Sequence, residues 1–233
     1  MNIKKVILVL LIISPFTLQG CAEWAAVEGV LLVGHLIDEI TDEPTKKGTV
    51  SKKVKKTDTT NFKTEYNKGL RYYEDQNYKS AYSIIYPLAL KDYKHAQALL
   101  GVMYANGNFV SQDMTSAISW YKKAGYQGSK YAQYNLGEIY RNGDGVRKDL
   151  AEARRWYEEA SNQGDSDAQY ILGVMYFMGD GGNQSYRDAV KWFSFSGNQG
   201  NKDAKEWHEK SCLFLLREVN YDPYKMPDVC KNI

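Results

Sequence analysis

Three cysteines, three histidines and five prolines are all that 233 residues contain. An odd number of cysteines cannot pair completely within one chain, so one thiol needs another fate. The histidines stand at positions 35, 95 and 208, too scattered for a metal-binding motif; neither metal nor cofactor is expected. The longest apolar run, Val6 to Ile13, has eight residues, far short of the roughly 20 that span a bilayer. The formal net charge is only +2, which gives no basis for a nucleic-acid partner. No stretch alternates apolar and polar residues for long, which argues against a sheet.

Catalytic signatures are missing as well. There is no G-x-S-x-G elbow and no H-E-x-x-H. Gly179-Asp-Gly-Gly182 lacks the Gly-Lys-Ser/Thr of a phosphate-binding loop. Asn142-Gly-Asp-Gly145 lacks the ligand series of a calcium loop. Glu158 and Glu159 are neighbours, so they diverge on a helix and make a poor acid/base pair. A non-enzymatic protein is expected.

The amino terminus reads as an address. Lys4 and Lys5 precede the apolar run, as in a signal peptide. Leu18-Gln19-Gly20-Cys21 then resembles the lipobox of bacterial lipoproteins, although Gln19 is an unusual third-last residue. The resemblance implies cleavage after Gly20 and acylation of Cys21, which would tie the chain to the membrane. Ala22 resembles the signal for transfer to the outer membrane in Gram-negative lipoproteins. Residues 1–20 are therefore expected to be the signal. Residues 21–60 would be a lipidated start, a short apolar segment (24–37) and a tether with lysines at 46, 47, 52, 53, 55 and 56. The apolar segment either lies on the membrane or docks on the body.

The rest of the chain repeats. Ala96, Ala132, Ala168 and Ala204 are 36 residues apart. Gly101, Tyr104, Gly107, Ala117, Trp120 and Gly128 each recur twice with the same step. The regular copy runs from Ala132 through Gly137, Tyr140, Gly143, Asp149, Ala153 and Trp156 to Gly164. Its apolar residues fall at helical spacing, and Gly137 removes a side chain where two helices must approach. Gly143 and Gly164 suit helix ends, and Asp149 and Asp167 suit helix starts. The copy starting at 168 departs at Gly182 and Ser185, which points to a looser connection.

This pattern resembles the Sel1-like repeat, a relative of the tetratricopeptide repeat. The resemblance implies an all-α, right-handed solenoid of about four antiparallel helix pairs. A degenerate unit (61–95) comes first, followed by repeats at 96–131, 132–167 and 168–203. The chain would then close with a cap and tail, 204–233, the capping helix covering roughly 203–219. Terminal caps are a general need of solenoids.

A residue present in every copy serves the repeat, so a binding surface should use positions that differ. One helical stripe meets that test: Tyr66, Leu70 and Tyr73; Ala98, Val102 and Ala105; Tyr134, Glu138 and Arg141; Tyr170, Val174 and Phe177. In tetratricopeptide-like solenoids the corresponding stripe lines the concave face. Tyrosine, phenylalanine and arginine are common anchors of protein interfaces. The alternative is that some of these rings pack on the neighbouring repeat.

Cys212 and Cys230 remain, either as a disulfide or as two free thiols. A disulfide is the expected state in an oxidising compartment and would contribute about 3 kcal/mol by restricting the unfolded chain. The resemblance implies a protein-binding adaptor or scaffold. It also implies a narrower role, since some bacterial Sel1-like lipoproteins are immunity proteins that neutralise type VI secretion phospholipases. The competing expectation is an envelope enzyme or glycan binder acting on peptidoglycan.

Overall fold

Asn77, Asp113, Asp149 and Ser185 open four helices in the same way, each side-chain oxygen accepting from a backbone amide of the first turn. The computed structural model describes residues 56–218, 220 and 227–230, and the side chains of these except 56–60 and 229. The signal, Cys21 and most of the expected tether lie outside the described residues. Among those described there are nine α-helices: α1 (Lys56–Glu74), α2 (Tyr78–Leu90), α3 (Lys94–Asn106), α4 (Met114–Tyr126), α5 (Lys130–Asn142), α6 (Leu150–Asn162), α7 (Ser166–Met178), α8 (Tyr186–Asn198) and α9 (Lys202–Glu218). They pack in consecutive pairs, α1 with α2 through α7 with α8, and α9 covers the last pair. This is the all-helical solenoid that the repeats predict. None of these helices is long and apolar enough to cross a membrane.

The glycine in each first helix is what lets a pair close. A methyl group at Gly101, Gly137 or Gly173 would come within 2.6–2.7 Å of the ring of Tyr121, Tyr157 or Phe193 on the second helix. Gly69 meets Ile85 in the same manner, at 2.7 Å. The first pair therefore uses the same joint with a smaller side chain and a shorter connection. The first helices end at Gly107, Gly143 and Gly179, all left-handed with φ of 72°, 87° and 81°.

Between pairs, buried glutamines form a repeated clamp. Gln133 donates to the Gly125 carbonyl at 2.9 Å and accepts from Gln163 at 2.5 Å. Gln97 does the same with Ala89 and Gln127, and Gln169 with Ser161 and Gln199. Each clamp satisfies a carbonyl at the end of one pair with an amide from the next.

Four details differ from the sequence reading. The cap of α7 is Asp165, which accepts from the Ala168 amide, and Asp167 lies in the first turn. Helices α3, α5 and α7 begin at Lys94, Lys130 and Ser166, two residues ahead of the phase set by the alanines. Helix α1 starts at Lys56, inside the segment expected to be tether. The connection ending at Ser185 closes with the same cap geometry as the others despite its different residues. Its cap has φ −151° and ψ 103°, against −147° and 97° at Asp113 and −143° and 98° at Asp149. Serine supplies the capping oxygen as well as aspartate does.

At the far end, Cys212 on α9 is joined to Cys230 by a disulfide, with Cα atoms 5.7 Å apart. Val190 and Leu215 pack against it. Cys230 closes a short 3-10 turn, Asp228–Cys230.

Candidate functional site

The variable stripe is not one surface. Its amino-terminal end is core: Tyr66 is 0% exposed, and Leu70, Tyr73 and Val102 are buried. The Tyr66 ring meets Tyr93 and His95, where α3 begins, at 5.6 and 5.8 Å between centroids. The Tyr73 hydroxyl donates to Asn108 Oδ1 at 3.1 Å. These residues are the surface on which the next pair packs, so they are withdrawn from the expected binding face.

The carboxyl-terminal end is largely covered. Phe177 meets Trp207 and Phe214 of α9 at 5.3 and 5.2 Å. Tyr170 and Val174 pack against the cluster of Ala189, Phe193 and Ala204. The capping helix occupies this part of the stripe as a further repeat would.

The middle is different. Glu138 on α5 accepts from two donors. The Tyr157 hydroxyl on α6 donates to Oε1 in a short hydrogen bond, and Arg141 donates to Oε2 at 2.5 Å. The Tyr134 ring stands edge-on to Tyr157 at 5.9 Å. The Arg141 Nε is buried without a hydrogen-bond acceptor. Even so, the Arg141 side chain remains 42% exposed and that of Glu138 22%. Burial, followed by the Glu138 charge, holds the Tyr134 and Tyr157 phenols far above their ordinary range. Burial disfavours the Arg141 charge, but the Glu138 carboxylate opposes it and the guanidinium stays protonated. Both phenols therefore stay neutral donors at any physiological pH. The arrangement is a fixed, partly open array of one anion, one cation and two phenols.

Among the described residues three exposed aromatics escape the stripe argument, Phe109, Tyr126 and Phe195. Phe109 is 53% exposed with φ +69°. Thirty-six and 72 residues further on stand Gly145 and Gly181, with φ +70° and +71°. A phenylalanine thus holds a backbone conformation that its counterparts meet with glycine. Its ring lies 5.4 Å from Tyr82, itself stacked on Tyr86 at 5.2 Å. The break in the glycine period at 109 was the available sequence signal. Tyr126 is 69% exposed and leans on Trp156 at 5.3 Å. It borders an open hollow of about 370 Å³ with Arg155, Glu159 and Gln163. No periodic signal marked it, because Asn162 and Asn198 stand at the matching positions.

For metal binding, His208, Cys212 and Cys230 have ligand atoms within 4.8 Å of one another. In this structure both sulfurs are committed to the disulfide.

Stacked helix pairs, an interior glycine at each joint and a non-repeated polar array define a helical-repeat scaffold. Residues 94–129, 130–165 and 166–201 each match the Sel1 repeat, so the chain carries three consecutive Sel1 repeats. Sel1 repeat proteins are usually non-catalytic scaffolds, and Sel1 repeats generally mediate protein–protein interactions. Among solved structures, the chain is similar to a Sel1 repeat protein from Oxalobacter formigenes. The two are 29% identical with a TM-score of 0.60, covering 66% of this chain and 62% of that one. It is also similar to a protective antigen of uropathogenic Escherichia coli strains that displays an SLR fold. That match is 33% identical with a TM-score of 0.61, covering 70% of this chain and 35% of that one. The chain thus spans less than two thirds of the length of either. No curated protein matches it in sequence.

Proposed function

We propose that this chain is a lipid-anchored adaptor of the bacterial envelope that grips a protein partner at Tyr134, Glu138 and Arg141. The carrying observation is the half-exposed Glu138–Arg141 pair, placed where the other full repeats have Val102 and Ala105 or Val174 and Phe177. A scaffold that only needed to stack would keep apolar residues there, as its neighbours do. The guanidinium retains N–H donors beyond the one given to Glu138, and arginine beside tyrosine is a common interface anchor. The disulfide supports an oxidising compartment outside the cytoplasm. A lipid on Cys21 would hold the array there, facing the periplasm from the outer membrane.

The test is affinity capture from the envelope with the wild-type chain and with the Tyr134→Ala/Arg141→Ala variant. A protein retained by the first and lost by the second is expected; equal retention overturns the assigned surface. The anchor is tested separately by Cys21→Ser, which is expected to release the chain from the membrane fraction. The narrower reading is an immunity protein against a secreted phospholipase. It predicts that the chain rescues cells expressing a toxin encoded beside it, and absence of protection refutes it.

A further inference from the structure

A histidine stands beside the disulfide that fastens the end of the solenoid. His208 and Cys212 are four residues apart on α9, so they share one helical face. His208 Nε2 lies 3.9 Å from Cys212 Sγ, and Cys230 brings the third ligand atom within 4.8 Å of both. Both cysteines are buried, His208 is half-buried, and Val190 and Leu215 form the apolar wall. In a tetrahedral zinc site, with Zn–S near 2.3 Å and Zn–N near 2.0 Å, neighbouring ligand atoms are about 3.5–3.8 Å apart. The histidine–sulfur spacing already has that scale. The two sulfurs must separate and Cys230 Sγ must settle at the same spacing from His208, and Cα atoms 5.7 Å apart allow this by side-chain rotation.

We propose that reduction of the Cys212–Cys230 bridge creates a site for a thiophilic divalent cation of the zinc class, held by both sulfurs and by His208 Nε2. A dithiol reductant supplies two electrons and two protons. The S–S bond breaks, two thiols form, and the reductant closes into its own disulfide. The cation then displaces both thiol protons to solvent and binds two thiolates and a neutral imidazole, with water in the fourth position. Disulfide and metal are alternative fastenings of the same tail to the same helix.

The experiment uses cobalt(II) as the probe on the full chain, reduced with a phosphine and held without oxygen. One cobalt per reduced chain is expected, with thiolate-to-metal charge-transfer absorption and tetrahedral ligand-field bands. Zinc should displace it and raise the thermal midpoint of the reduced chain. The oxidised chain should show no such absorption. His208→Ala should bind at least the roughly 10–100-fold weaker expected when even a group behind a ligand is lost. The oxidised His208→Ala chain should melt like the oxidised wild type, which separates ligand loss from misfolding. Absence of metal-dependent absorption in the reduced chain overturns the proposal. So does undiminished affinity in His208→Ala, which would mean that the thiols alone capture the ion.

Discussion

Tyr66 and Tyr134 occupy the same place in the first helices of the first and third pairs, three residues before the interior glycine, yet they have different tasks. Tyr66 is wholly buried between α1 and the start of α3. Tyr134 is half-buried and touches Tyr157, whose hydroxyl donates to Glu138 of a partly exposed ion pair. One position in the repeat thus serves stacking in one unit and presents polar chemistry in another. The difference comes from what surrounds it. Leu70 and Tyr73 accompany Tyr66, whereas Glu138 and Arg141 accompany Tyr134. A charged pair resists full burial because desolvation of both partners is costly.

The sharpest way to break this comparison is truncation at each end of it. Tyr66→Ala should cost about 3–5 kcal/mol of stability, as removal of a fully buried aromatic does. Urea denaturation measures it, and a loss below about 1 kcal/mol would contradict the packing role. Next in size, Glu138→Ala leaves the Tyr157 hydroxyl and Arg141 without their shared acceptor. A loss of about 1–3 kcal/mol is expected from the stranded phenol alone. Adding Tyr157→Phe should recover part of it, because the unpaired hydroxyl is then gone. Arg141→Ala by itself should cost less, about 1 kcal/mol, since its ion pair is partly open to solvent.

Alkaline titration sharpens the same contrast across all the buried phenols. Burial pushes Tyr93 up to about 12 and raises Tyr134 and Tyr157 further. An unfolded chain loses those protons near pH 10, whereas the folded chain retains them. Folding is therefore fully supported by these groups below pH 10, and stability falls as pH rises from 10 toward 12 and beyond. Phenolate absorbance should show tyrosines resistant to ionisation at pH 11 until the fold collapses. Full ionisation of all 19 tyrosines at pH 11 in a chain that remains helical would contradict their burial.

Much of the scaffold was legible because the repeat supplied its own comparison. A glycine that returns every 36 residues at helical spacing has one economical explanation, and each copy meets a large side chain at the expected joint. Asp149 was readable for the same reason, while Asp167 was misplaced because Asp165 stands two residues away with the same chemistry. The stripe was less legible. Periodicity gives the face of a helix on which a residue lies, but not whether a neighbouring unit or a cap covers that face. Tyr66, Leu70, Tyr73 and Val102 could be placed only once the course of α3 was known, and Phe177 only once α9 was. The His208–Cys212–Cys230 group was hidden differently. His208 and Cys212 share one face of α9 and the disulfide brings Cys230 to them, so the number of residues between 212 and 230 carries no motif.

The central claim is that the middle of the stripe binds a partner while its buried end only holds the solenoid together. The direct measurement is the affinity of the purified partner for three chains: wild type, Tyr134→Ala/Arg141→Ala, and Tyr66→Phe, each first shown to be folded by its thermal transition. The double variant should bind about 100-fold more weakly, the scale of lost interface anchors, and Tyr66→Phe should bind as the wild type does. Equal affinity in the double variant, or a matching loss in Tyr66→Phe, would contradict the account.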